Sequence, residues 1–118
     1  MLVGVVRPKS RGRIHLRSAD PADHPVIDPR YYSHPDDVKV TLEAIKLAEK
    51  ILQSEPMQKL NVSVALSPHP FCQEHPLHSD SYFECIIDMD SLTLYHPVGT
   101  CKMGPKQDRD AVVDPQLR

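Results

Sequence analysis

Twelve of the 118 residues are prolines, and five of the seven histidines stand directly before one: His24, His34, His69, His75 and His96. Each proline fixes its own φ, withholds a backbone donor and biases the preceding residue toward extended conformations. Much of the chain must therefore run extended or turning. The clearest helix spans Pro35 or Asp36 to Ser54. Pro35 suits the first helical position, Asp36 and Asp37 suit the positive end of the helix dipole, and Pro56 stops the run. Val38, Leu42, Ile45 and Leu52 form its apolar stripe, widened by Ala44, Ala48 and Ile51, with Glu43, Lys46, Glu49 and Lys50 on the wetter side. This helix is scaffold.

Strands are expected on either side of a turn at residues 7–12. Leu2 to Val6 is Val-rich, and Arg13 to Arg17 alternates so that Ile14 and Leu16 point inward. The two runs are expected to pair as a hairpin, with Ser10 and Gly12 as turn residues that have no catalytic role. Residues 18–35 read as a loop stiffened by Pro21, Pro25, Pro29 and Pro35, pinned to the core by Tyr31-Tyr32, with His24 and His34 solvated. Asn61 to Leu66 is expected as a short strand. Ser81 and Glu84 stand at capping-box spacing and open a short helix to about Asp90. Tyr82, Phe83, Ile86 and Ile87 form its apolar face, with Cys85 as a small core residue.

A chain of this length has room for one domain with one modest core. Its net charge of −2 gives no reason to expect nucleic acid or an anionic membrane as a partner. No apolar run is long enough to span a bilayer, and no signal-peptide pattern follows Met1. Cys72, Cys85 and Cys101 form no CxxC pair, and the odd count argues against a complete disulfide framework. His69, Cys72, His75 and His78 recur every third residue and have the composition of a zinc site. They would have to close a very tight, proline-interrupted ring, so no metal is expected there. Both ends read as an excerpt of something larger: an apolar run at the start, and a turn at residues 112–118 that leads nowhere.

The chemistry concentrates in Tyr95-His96-Pro97-Val98-Gly99-Thr100-Cys101-Lys102-Met103-Gly104. Pro97 biases His96 toward an extended conformation, and an imidazole can accept a proton near neutral pH. Gly99 and Gly104 bracket small or slender side chains, where backbone could approach a flat ligand closely. Alone, a His-Pro pair reads as a histidine in a structural turn. Here it has company.

Arg7-Pro8-Lys9-Ser10-Arg11-Gly12-Arg13-Ile14-His15-Leu16, Pro25-Val26-Ile27-Asp28-Pro29-Arg30-Tyr31-Tyr32, Asp36-Asp37, Ser79 to Cys85, Tyr95 to Gly104 and Val112-Val113-Asp114-Pro115 follow one another in order. Together they resemble the C-terminal, substrate-binding part of the glucose–methanol–choline (GMC) oxidoreductases, with a flavour of the insect glucose dehydrogenases that use flavin and a quinone acceptor. The resemblance implies an α+β fold: a partial antiparallel sheet with helices packed on one face. Residues 1–118 would form a single incomplete substrate-binding domain, without the FAD-binding Rossmann region and the extreme C-terminal segment. It implies an FAD-dependent oxidation of an alcohol or sugar hydroxyl, a quinone-like acceptor, His96 as the catalytic base, and Val98 and Thr100 bordering the flavin. The chemistry agrees. A positioned base is worth roughly 10²–10⁴ in rate, and the hydride needs a cofactor because no ordinary side chain accepts it. The four glycines, at 4, 12, 99 and 104, make no Gly-x-Gly-x-x-Gly cradle, so this chain alone is expected to be inactive and without bound FAD. Two other classes remain open: a small metal-binding module built on residues 69–78, and a non-catalytic module that binds a sugar or a partner.

Overall fold

A computed structural model of the chain describes residues 3–64 and 67–118. In chain order they form β1 (Arg13–His15), β2 (Val26–Asp28), α1 (Pro35–Leu52), α2 (Glu55–Lys59) and α3 (Asp80–Asp90). The two strands make an antiparallel sheet with Arg13 opposite Asp28, Ile14 opposite Ile27 and His15 opposite Val26. The fold is α+β. Its helices pack on one another, and the core lies where α1 meets α3: Leu42, Cys72, Tyr82, Phe83 and Ile87, flanked by Tyr32, Val38, Ile45, Cys85 and Ile86. None of the helices among the described residues is long and apolar enough to cross a membrane.

Helix α1 forms where the periodicity places it, but it closes at Leu52, with Gln53 as its cap, short of the expected Ser54. Pro56 does not stop it. A separate helix begins at Glu55, with Ser54 as N-cap and the proline in its first turn, where a missing amide hydrogen costs nothing. The N-cap of α1 is His34, whose Nδ1 accepts from the Asp36 amide at 3.2 Å, so this histidine is a cap and not a bystander. In α3 the capping hydroxyl is that of Ser79, two residues before the expected Ser81, and it accepts from the Tyr82 amide at 3.1 Å. Tyr82 is 1% exposed, and its hydroxyl accepts from the His69 amide at 3.1 Å and lies 3.4 Å from the Ser67 carbonyl. The ring fills the core while its oxygen fastens the loop before α3.

The expected hairpin is corrected. Residues 3–6 form no strand, Leu2 lies outside the described residues, and the partner of residues 13–15 is β2. Two contacts explain the choice. A Cβ on Gly12 would sit 2.3 Å from the Asp28 carbonyl oxygen and 2.6 Å from Pro29 backbone, so only glycine lets β1 lie against the end of β2. Gly4 packs instead against Leu94, where an added Cβ would come within 2.9 Å of Cδ1. Ile14 and Leu16, expected inward, are 55% and 80% exposed. Residues 61–64 form no strand, and Ala65 and Leu66 lie outside the described residues. Of the tyrosine pair, Tyr32 packs on the core while Tyr31 is exposed.

Cys85 packs against the core as expected, but it is joined to Cys72 in a disulfide across 13 residues, a pairing that the odd cysteine count argued against. Closing a loop of that size stabilises by about 3 kcal/mol in the chain-entropy picture. It ties the fully buried Cys72 to α3 from the segment that Tyr82 already holds.

The turn at residues 8–12 is held to α1 by Asp37, which is only 4% exposed. Its carboxylate accepts from the Lys9 amide at 2.8 Å, the Ser10 amide at 2.8 Å and the Ser10 hydroxyl at 2.5 Å. Ser10 Oγ in turn accepts from the His34 amide at 3.0 Å. Burial pushes the Asp37 carboxyl up, but these bonds and nearby His34 outweigh it, and the group lies below its ordinary 3.8. Asp37→Ala is expected to cost about 2–3 kcal/mol in urea unfolding, because two amides and a hydroxyl lose a charged acceptor. A folded-state value below the unfolded one means the stabilisation is complete above 3.8 and fades as pH falls through the depressed value. Wild type should lose stability steeply in that acid window, and Asp37→Ala should flatten the loss. An equal pH slope in the two proteins would contradict the assignment.

Candidate active site

The run that carries His96 leaves the end of α3. The helix stops at Asp90, Ser91 turns out into an extended conformation, and the Ser91 hydroxyl bonds back to the Ile87 carbonyl. From Ser91 to Met103 every residue is exposed, and no helix or strand forms. Local chemistry shapes the strip: the Tyr95 amide donates to Thr93 Oγ1 at 3.0 Å, and Tyr95 takes the left-handed region at φ 62°. Pro97 restricts His96 on its other side. At φ 99°, Gly99 occupies a region that side-chain-bearing residues rarely adopt, and open space surrounds its Cα. Glycine is required there by the turn, not by crowding.

His96, Val98 and Thr100 all lie on this strip and are all exposed, Val98 by 81%. Among the described residues no side chain hydrogen-bonds to His96, and no carboxylate pairs with it. The structure thus presents the three predicted residues together on one open edge without enclosing them. Two surface depressions, one along α1 at Glu43, Lys46 and Lys50 and one at Pro68, His75 and Tyr82, are lined by other residues.

The far end of the strip is clasped. The Val112 amide donates to the Lys102 carbonyl at 2.8 Å, and the Gly104 amide donates to the Val113 carbonyl at 3.0 Å. Met103 and Val113 form an isolated parallel bridge. Lys102 Nζ reaches across to Asp108 Oδ2 at 2.6 Å, and the other Asp108 oxygen accepts from the Asp110 amide at 3.0 Å. The lysine, then the amide, hold the Asp108 carboxyl below its ordinary range, and the same contact raises the Lys102 ammonium. Sequence reading gave Lys102, Asp108 and Val113 no such part. The pairing of residues ten apart across a turn leaves no periodic signal.

The cluster at residues 69–78 is dispersed. The Cys72 sulfur is bonded to Cys85, which removes it as a thiolate. The three histidines face three different carboxylates: His69 meets Asp90 at 3.7 Å, His75 meets Glu74 at 3.6 Å, and His78 meets Glu49 at 2.6 Å. Cys101, the remaining cysteine, is free and exposed on the His96 strip.

Residues 8–118 match the profile of the GMC oxidoreductase family. Over 114 residues, 97% of this chain, the chain is 40% identical to the glucose dehydrogenase [FAD, quinone] of Drosophila pseudoobscura pseudoobscura. It is 42% identical over 111 residues, 94% of the chain, to the alcohol dehydrogenase [acceptor] of Pseudomonas putida. To the human mitochondrial choline dehydrogenase it is 38% identical over 119 residues, 98% of the chain. The chain spans about a fifth of the length of these curated relatives: 18%, 19% and 18% respectively.

Since few bonds of its own shape the strip, its course depends on Ser91 at one end and the clasp at the other. Asp108→Asn is expected to speed hydrogen exchange at the Gly104 and Val112 amides about tenfold or more, while amides inside α1 stay unchanged. Exchange by mass spectrometry or NMR checks this. Equal exchange at residues 102–113 in both proteins would show that the ion pair does not hold the loop.

Proposed function

The chain belongs to the GMC oxidoreductase family, and we propose that it is the substrate-facing part of an FAD-dependent enzyme that oxidises the CH–OH group of an alcohol or sugar. The acceptor in this reading is quinone-like, as in the names of the insect relatives. The observation that carries the proposal is an imidazole held by a proline on an open edge, within a run that belongs to the family match. Such an edge can meet a substrate hydroxyl directly.

The residues suit the border of a planar ring better than a dinucleotide's phosphates. Gly4, Gly12 and Gly104 are all packed against the chain itself, so they leave no backbone cradle for a pyrophosphate. Gly99 is open, and Val98 and Thr100 beside it offer an exposed apolar and hydroxyl border that would lie along the flavin. When bound, FAD supplies the hydride acceptor that the chain lacks. The chain's own part is the proton: a nitrogen of the His96 ring takes it from the substrate hydroxyl. Pro97 limits the backbone freedom of His96, and the clasp at residues 102–113 fixes the end of the strip on which it stands. Protonated His96 cannot act, so the rate should fall on the acid side.

The test uses the FAD-loaded enzyme that contains residues 1–118. His96→Ala should leave FAD bound, slow its reduction by substrate by roughly 10²–10⁴, and abolish the acid limb. His24→Ala, in the loop between the strands, should change little. Near wild-type reduction with the same pH limb in His96→Ala would overturn the assignment. Residues 1–118 alone are expected to leave FAD free in solution, checked by flavin fluorescence after gel filtration. A yellow chain that reduces a dye in the presence of glucose would contradict this.

A further inference from the structure

Helix α2 ends in a pattern that accounts for Asn61 only in part. Leu60 is the C-cap, and Asn61 follows in the left-handed region at φ 54°. The Asn61 amide donates to the Gln58 carbonyl at 3.0 Å, and the Val62 amide donates to the Met57 carbonyl at 3.2 Å. This is the Schellman arrangement, in which asparagine is second only to glycine at that position. Gln58 Nε2 closes the turn further, donating to the Val62 carbonyl at 3.2 Å. Only the first of these bonds involves Asn61, and it uses the backbone amide. Its carboxamide is exposed and takes no hydrogen-bond partner among the described residues, and the same holds for the exposed Ser63 hydroxyl.

Asn61-Val62-Ser63 has the form Asn-x-Ser with x other than proline, the acceptor pattern for N-linked sugar. The capping role explains the asparagine but not the serine two residues on. A second and independent feature bears on the compartment. The Cys72–Cys85 disulfide belongs to oxidising surroundings, and in eukaryotic cells these are the lumen in which the sequon is read. We infer that Asn61 is an acceptor site for an N-linked oligosaccharide. The donor class is an oligosaccharide carried on a polyprenyl pyrophosphate, presented by a transferase. Asn61 Nδ2 forms a bond to C1 of the first sugar, and the bond from C1 to the pyrophosphate oxygen breaks. The polyprenyl pyrophosphate leaves, the displaced amide proton passes to a base of the transferase, and no oxidant or reductant is needed.

One tryptic peptide tests both premises, because residues 60–102 contain no internal lysine or arginine and carry Asn61, Cys72 and Cys85 together. The protein is produced through the secretory pathway of eukaryotic cells and mapped without reduction. The expected peptide holds the disulfide and an oligosaccharide that peptide N-glycosidase removes, leaving Asp at position 61. Asn61→Gly keeps the helix cap and should lose the sugar with the disulfide intact. Ser63→Ala should lose it with Asn61 in place, and Ser63→Thr should retain it. A peptide with the disulfide formed and no sugar would overturn the inference. So would free thiols at Cys72 and Cys85 in the native protein, or sugar that persists in Ser63→Ala.

Discussion

One carboxylate connects the two halves of the molecule. Asp37 stands in the first turn of α1 yet spends its oxygens on a turn 27 and 28 residues earlier, accepting from two successive amides and the Ser10 hydroxyl. An aspartate there normally serves its own helix end. Here the helix end is served by His34 instead, so the acid is free to hold the strand side of the fold. Everything upstream inherits its position from this contact. With the turn fixed, Gly12 meets Pro29, β1 finds β2, and Gly4, before the turn, packs against Leu94 on the His96 strip.

The second organising contact is the buried pair of Tyr82 and the Cys72–Cys85 crosslink on α3. Both act on the segment that precedes the helix, one through a hydroxyl and the other through a covalent bond. That segment has no regular structure of its own, and its prolines supply few backbone donors. Side chains therefore do the work that a backbone ladder does elsewhere. The chain remains elongated, with a radius of gyration of 19.4 Å, whereas a compact chain of this length would have about 13–14 Å. The core is small, and two segments, the β1–β2 ribbon and the His96 strip, extend beyond it.

What the sequence made legible follows from how local each signal is. Helix α1 is readable because its stripe repeats over five turns between two prolines. Its last residues are not, because Pro56 serves equally to end one helix or begin another. The apolar face of α3 is readable for the same reason, while two serines two residues apart compete for its cap and only the backbone geometry decides. The partner of β1 is a matter of distant contacts, Gly12 with Asp28 and Pro29 among them, and strand alternation carries no information about which strand answers it. The disulfide was hidden by the odd cysteine count, since Cys101 spoils the arithmetic without taking part. The His96 run declared itself through residue types in a fixed order, but its exposure is a property of packing, which no short motif encodes.

That exposure sets the dielectric in which the His96 ring sits. A unit charge about 4 Å away acts with about 1 kcal/mol through bulk water and about 4 kcal/mol at the effective dielectric near a protein surface. At physiological salt, charges farther off than about 8 Å hardly register. The Lys102–Asp108 pair, itself nearly neutral as a unit, adds little to this field. A strip of this kind is electrically quiet while wet. A covering surface that removes the water would lower that dielectric, so the same event that buries the strip would also strengthen every charge interaction across it.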